Sequence, residues 1–174
     1  MIAHPGSPGA YALRLYQPGD DAALIDITRV AIREIGTARY SKDQVDAWAA
    51  RHEARCQFAQ RAADGAFIFV AVPSAGPPVA YALLEVDSAG DGHLDMLYCH
   101  PDHTRHGLAD ALLNLAEECA RAIDIPRLYT EASELAVAAF ERAGYAIVKR
   151  RDFTIEHESR SIAIHNFGME KSLF

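Results

Sequence analysis

GHLDMLYCHPDHTRHGLADALLNLAEECAR, running from Gly92 to Arg121, reads as a strand, a short polar loop and a long amphipathic helix in one run. His93 to Cys99 is a mostly apolar strand candidate, set off by Asp91-Gly92 before it and Pro101 after it. From Gly107 to Arg121, Leu108, Ala111, Leu112, Leu115, Ala116 and Cys119 recur at helical spacing. The loop between them is His100-Pro101-Asp102-His103-Thr104-Arg105-His106. A helix start offers unpaired backbone N–H groups at the positive end of the macrodipole, and a glycine there lets a ligand approach the main chain. Such a start is suited to a phosphate. The chain has neither G-x-G-x-x-G nor G-x-x-x-x-G-K-S/T, so the dinucleotide and P-loop readings lack their residues.

Outward from this run, both directions alternate between strand and helix patterns. Tyr11 to Tyr16 reads as a first strand, broken by Pro18-Gly19. Asp20 or Asp21 is placed to cap a helix through Leu24, Ile27, Val30, Ala31 and Ile35, stopped at Gly36. Ser41-Lys42-Asp43-Gln44 has the form of a capping box for a second helix through Trp48, with helix resuming from Glu53 to Ala63. Phe67 to Val72 and Val79 to Val86 are strands around a Pro/Gly turn cluster. After the focal run come a short strand, Arg127 to Glu131, a helix capped by Ser133 and closed at Gly144, and two strands, Ala146 to His157 and Ser161 to Lys171. The order is β-α-α-β-β-β-α-β-α-β-β, an α/β (α+β) chain with a mixed sheet flanked by helices. The crossover rule makes the focal strand and the Leu128 strand parallel. One domain is expected over residues 11–174, with Met1 to Ala10 as a loose tail.

Composition narrows the function. The 174 residues suffice for one domain with a proper core. A net charge of -7 disfavours a non-specific grip on nucleic acid or an anionic membrane, and an acidic surface leans towards a cationic substrate. No apolar stretch approaches a membrane span, and the N-terminus has no signal-peptide pattern. Cys56, Cys99 and Cys119 are odd in number and form no C-x-x-C, which fits a cytoplasmic protein.

The segment LYCHPDHTRHGLADALL resembles the acetyl-coenzyme A segment of the GNAT N-acetyltransferases. There a strand ending L-Y-V-x-P leads into a loop of the form Gln/Arg-x-x-Gly-x-Gly/Ala and a leucine-rich helix. This chain has Thr104-Arg105-His106-Gly107-Leu108-Ala109, departing from the pattern at Thr104. A second segment, Ser133 to Tyr145, is similar to the family's N-x-x-A-x-x-F/L-Y-E-x-x-G-F, with Ser133 in place of the Asn and Phe140 at the aromatic position before the Glu. Tyr40-Ser41-x-x-Gln44-x-x-x-Trp48 and the ending Asn166 to Lys171 resemble a bacterial subgroup of unassigned substrate.

The resemblance implies the GNAT fold and acetyl-CoA as co-substrate, with no metal. The pyrophosphate would lie on the backbone from Arg105 to Ala109, with Arg105 and His106 adding charge, and Thr104 completing the loop. The pantetheine arm would lie against free backbone groups of Leu97, Tyr98 and Cys99, reached also by Ser133. The family's usual tyrosine acid is absent, since Phe140 carries no proton; Tyr98, Tyr129, Tyr40 or water are left to protonate the thiolate, or the thiolate leaves unassisted. Tyr40 and Trp48, with the neighbouring Arg51, would lie in the helical pair that forms one wall of the acceptor pocket.

For proton transfer, period-two alternation puts His93 and Asp95 on one face of the focal strand, and Glu131 ends the neighbouring strand. Asp95 stands out in an apolar strand and is either catalytic or held in a salt bridge or at a sheet edge. His100, His103 and His106 are spaced three apart but overlap the loop and have no neighbouring Cys ligand. The expected activity is acetyl transfer to an unknown amine of a small molecule or peptide. The alternatives are a non-catalytic acyl-CoA-binding module and a metal or redox protein. The two long terminal strands could pair between chains in a homodimer, though nothing in the sequence requires it.

Overall fold

The structure is a computed structural model that describes residues 10–174. Residues 1–9 of the expected tail lie outside the described residues. The strands are β1 (Tyr11–Leu15), β2 (Phe67–Pro73), β3 (Ala80–Val86), β4 (Gly92–Cys99), β5 (Arg127–Ala132), β6 (Ala146–His157) and β7 (Arg160–Ser172). The helices are α1 (Asp21–Val30), α2 (Lys42–Glu53), α3 (Phe58–Ala63), α4 (Leu108–Ala122) and α5 (Val137–Arg142). One seven-stranded sheet has the order β1-β2-β3-β4-β5-β7-β6, antiparallel throughout except that β4 and β5 are parallel. The mixed α/β fold and the parallel pair agree with the sequence reading.

Each face is covered by the helix whose stripe matches it. α4 lays Leu108, Leu112, Leu113, Ala116 and Ala120 against Phe69, Ala71, Ala82, Leu84 and Leu94. On the opposite face Leu24 and Ile27 of α1 and Phe58 of α3 cover Ile68, Val70, Tyr81, Leu83 and Met96. A third cluster joins Val45, Ala47 and Ala49 of α2 to Ile155 of β6 and Ile164 of β7, so α2 roofs the terminal hairpin.

Several local expectations are corrected. The Asp20 carboxylate does not cap α1. It is held instead by Arg14 at 2.7 and 2.9 Å and by the Gln17 N–H. The chain passes through a π turn (Ala31–Ile35) and a 3-10 turn (Gly36–Ala38) rather than stopping at Gly36. A Cβ on Gly36 would lie 3.2 Å from Val45 and 3.5 Å from Trp48, so the turn packs closely on α2 and a side chain here would need Val45 to shift. The Ser41–Gln44 capping box is present, but α2 continues past Trp48 to Glu53, and helix resumes only at Phe58. Ser133 does not cap α5. The N-cap is Ala136, and Ser133 contributes its carbonyl to a preceding turn.

Candidate functional site

The parallel strands β4 and β5 are paired only at Gly92–Leu128 and His93–Tyr129. Beyond that they fork. The Thr130 hydroxyl donates to the Leu94 carbonyl at 2.7 Å, satisfying an acceptor that the ladder no longer reaches. On its other side β4 stays paired with β3, with a bulge: Leu83 faces Met96 and Leu84 faces Leu94, leaving Asp95 as the extra residue. The His100 N–H donates to the Val79 carbonyl at 2.8 Å. Antiparallel alternation then turns the Tyr98 backbone to β3 and points the N–H and C=O groups of Leu97 and Cys99 into the fork.

Two connected hollows lie at the fork. A cavity of about 170 Å³ runs between β4 and α5, lined by Ile35, Trp48, Leu97, Tyr98, Cys99, Ala109, Leu112, Ser133 and Ala136 among others. A larger one of about 540 Å³ opens beyond it and shares Trp48, Leu97, Tyr98, Ser133 and Ala136. It also brings together Tyr40, His93, Asp95, Glu131 and Phe140 from the sequence candidates.

At the open end of the narrow cavity sits the start of α4. Its N-cap is Gly107 at φ +72, with no capping side chain, and Arg105 is also left-handed at φ +63. The space where a Gly107 Cβ would project is open. First-turn N–H groups of a helix lack intrahelical partners, so this end can take an anion. Thr104 is exposed, and its hydroxyl donates to the Pro101 carbonyl at 3.0 Å. His106 Nδ1 lies 2.9 Å from the Thr104 carbonyl and 3.2 Å from that of His103, so it carries its proton and tethers the loop. Leu108 faces the core, leaving only its backbone for a ligand. Among the described residues no group of three or more His, Cys, Asp or Glu is placed to hold a metal.

Of the three acid–base candidates, His93 and Glu131 meet. His93 Nε2 is 2.6 Å from Glu131 Oε2, and Arg151 is 3.1 Å from Oε1. The His93 ring stacks on Tyr129 at 4.7 Å between centroids. The His93 hydrogen bond, opposed by burial and helped by Arg151, holds the Glu131 carboxyl below the usual range. Asp95 lies in the same cavity wall but is clamped, 2.8 Å from Arg55 and 2.7 Å from Arg61. Burial pushes its carboxyl up, and Arg55 and Arg61 outweigh that and hold it low. This is the salt-bridge arrangement that stood as the other reading of Asp95.

Replacing Asp95 by Ala leaves Arg61, whose side chain is 13% exposed, with Glu85 as its remaining carboxylate partner. Removing one partner of a buried pair costs about 3 kcal/mol, or roughly 6–12 °C in a melting scan. Because the Asp95 carboxyl is held low, its stabilisation is full above the ordinary carboxylate pKa and fades as pH falls through the depressed one. The gap between wild type and Asp95→Ala should therefore narrow in acid.

The tyrosines divide. The Tyr129 hydroxyl donates to Asp87 at 3.1 Å, and that of Tyr40 donates to the His165 carbonyl while accepting the Glu134 N–H. Tyr98 lies within 3.2 Å of His52 Nδ1, and burial pushes its hydroxyl far above the ordinary range. Burial also pushes His52 down to about 4, with Arg55 adding to it, so the imidazole is neutral. Phe140 is buried and packs edge-on against Tyr145. The Cys99 thiol, raised to about 11 by burial, is not a thiolate at neutral pH.

Sequence reasoning did not single out His52, Arg55, Arg151, Phe153 or His165, all of which line the larger cavity, and it quoted Asn166, which lines it too, only as the start of the terminal motif. The signal available was Arg151 and Phe153 at period-two spacing on a long strand, one face of which had to cover something.

An acetyltransferase (GNAT) domain model matches residues 37–157. The chain is 32% identical over 141 residues to N-acetyltransferase YafP of Escherichia coli K12, a protein described as uncharacterised, covering 80% of this chain and 83% of YafP. Among solved structures, a GCN5-related N-acetyltransferase from Rhodopseudomonas palustris superposes with a TM-score of 0.77 at 32% identity, covering 94% of this chain and 96% of that one. The PaiA N-acetyltransferase of Thermoplasma acidophilum, solved with coenzyme A, gives 0.73 at 16% identity, covering 94% and 99%. YncA of Salmonella typhimurium, solved with acetyl-CoA, gives 0.66 at 19%, covering 95% of each chain.

Proposed function

This chain belongs to the GNAT acetyltransferase family, and we propose that it transfers acetyl from acetyl-CoA to the amine of a small molecule or peptide by direct attack in a ternary complex. The observation that carries this reading is the fork: an unpaired strand face at Leu97 and Cys99 runs from an open helix start at Gly107 to the His93–Glu131 pair. The pyrophosphate is held by the amides from Arg105 to Ala109. The pantetheine arm takes the place of the missing strand, between Leu97, Cys99 and Ser133. Acetyl-CoA is a co-substrate, and the scheme needs no metal.

The acceptor nitrogen attacks the thioester carbonyl from the larger cavity. A C–N bond forms, the C–S bond breaks, and the amine gives up a proton. The Leu97 N–H steadies the carbonyl oxygen as it gains charge. His93 takes the proton. Glu131 binds Nε2–H and so leaves Nδ1 as the accepting nitrogen, while its own depressed carboxyl is too weak a base to keep a proton near neutral pH. The departing thiolate, whose conjugate acid has an ordinary pKa of about 8.5, takes its proton from solvent, since Phe140 has none to give. A neutral Cys99 thiol supports direct transfer over an acyl-cysteine intermediate. Three free cysteines are in keeping with a cytoplasmic setting.

Phe140 also favours a second reading, a module that binds acyl-CoA without catalysis. Calorimetry with acetyl-CoA, followed by thiol release with a panel of amines, separates the two. Binding with release is expected. Binding without release by any amine selects the module, and no binding overturns both.

A further inference from the structure

The larger cavity carries a charge opposite to that of the chain. Over 174 residues the net charge is -7, yet the cavity wall holds three guanidinium groups, Arg51, Arg55 and Arg151, against two carboxylates, Asp95 and Glu131. Both carboxylates are already engaged, Asp95 by Arg55 and Arg61, and Glu131 by His93 and Arg151. A simple cationic amine entering here would find no free carboxylate in the wall, so the whole-chain lean towards a cationic substrate does not extend to the cavity.

Arg51 differs from the other two arginines. Among the described residues it makes no ion pair, and its guanidinium lies over the Phe153 ring, 5.5 Å from the centroid. Stacking on an aromatic face fixes the plane of a guanidinium and leaves its N–H edge free for a planar anion. Arg151 and Asn166 are register partners across the β6–β7 ladder, and both line the same cavity. The Asn166 Oδ1 is buried and has no hydrogen-bond partner. A buried polar atom of this kind normally has one. The cavity therefore presents a proton-accepting pair, His93–Glu131, and a cationic wall at Arg51 and Arg151, with the Asn166 Oδ1 beside it as an acceptor for an N–H donor such as the ligand's amine.

We infer that the acetyl acceptor is an amino carboxylate, its amine directed to His93–Glu131 and its carboxylate seated by Arg51 and Arg151. A carboxylate matches the guanidinium fork with two parallel hydrogen bonds. A volume of about 540 Å³ admits a molecule of amino-acid size. The inference rests on the acetyltransferase reading and narrows its substrate.

The test uses the full chain with saturating acetyl-CoA and thiol release as the readout. The acceptors are the twenty common L-amino acids, each with its primary amide and its decarboxylated amine. At least one amino acid should exceed its own amide and amine by tenfold or more in kcat/KM. In Arg51→Gln that preference should collapse to within about twofold through KM, and Arg51→Lys should keep part of it. Amides or decarboxylated amines used equally well or better would overturn the inference. So would a preference that survives in Arg51→Gln, or no turnover of any amino acid by protein that binds acetyl-CoA. Calorimetry on the same samples keeps the two ideas apart: absent acetyl-CoA binding removes the acetyltransferase reading, whereas intact binding with the wrong acceptor preference removes only this one.

Discussion

His93→Phe should lower kcat by about 10²- to 10⁴-fold while leaving acetyl-CoA affinity unchanged, the range by which a positioned general base accelerates a reaction. Phenylalanine keeps a ring stacked on Tyr129, while the proton acceptor and the hydrogen bond to Glu131 are lost and Arg151 stays on the Glu131 carboxylate. Glu131→Gln should cost less, about 10- to 10²-fold. It removes the charge that holds the imidazole tautomer and steadies the imidazolium, but leaves the accepting nitrogen in place. A variant that keeps kcat within twofold would assign proton removal to water or to another group.

Gly107→Glu should weaken acetyl-CoA binding by about 10²-fold or more. Gly107 adopts φ +72, where a side chain strains the backbone by about 1–2 kcal/mol, and the position of its Cβ is otherwise open. The added carboxylate would project where the pyrophosphate is proposed to lie. Like charges about 4 Å apart near a protein surface repel by up to about 4 kcal/mol at low salt. Gly107→Asn is the control, because asparagine tolerates the left-handed region and adds no charge. It should stay within about fivefold of wild type. Calorimetry measures the affinities, and a melting scan verifies that both variants fold. Equal losses in the two would point to backbone strain rather than a phosphate contact.

The parts of this molecule that could be read in its sequence are those set by local pattern. The leucine spacing after Gly107 specifies α4, and the Ser41–Gln44 capping box is visible in four residues. The parallel pairing of β4 and β5 follows from crossover geometry applied to the helix between them. What could not be read depends on contacts between distant residues. Asp95 looks like a catalytic carboxylate in a strand, and only the arrival of Arg55 and Arg61, about 35–40 residues earlier, makes it a clamp. Ser133 has the composition of a cap, but the chain makes a turn first and α5 starts four residues later. Arg151 and Asn166 sit in a hairpin that reads only as two strands, because a strand pattern does not say which cavity its face closes.

An unpaired strand edge is ordinarily a liability, a template on which another chain can build. This sheet has two outer edges, at β1 and β6, and the fork adds two inner ones. The inner edges are half-buried, with α4 and α5 on one face and the α1–α2 turn on the other, as the residues lining the narrow cavity show. A folded domain or a second sheet is too thick to reach them. On the proposed reading the gap takes a single extended chain, one that can present its own amide groups to Leu97 and Cys99.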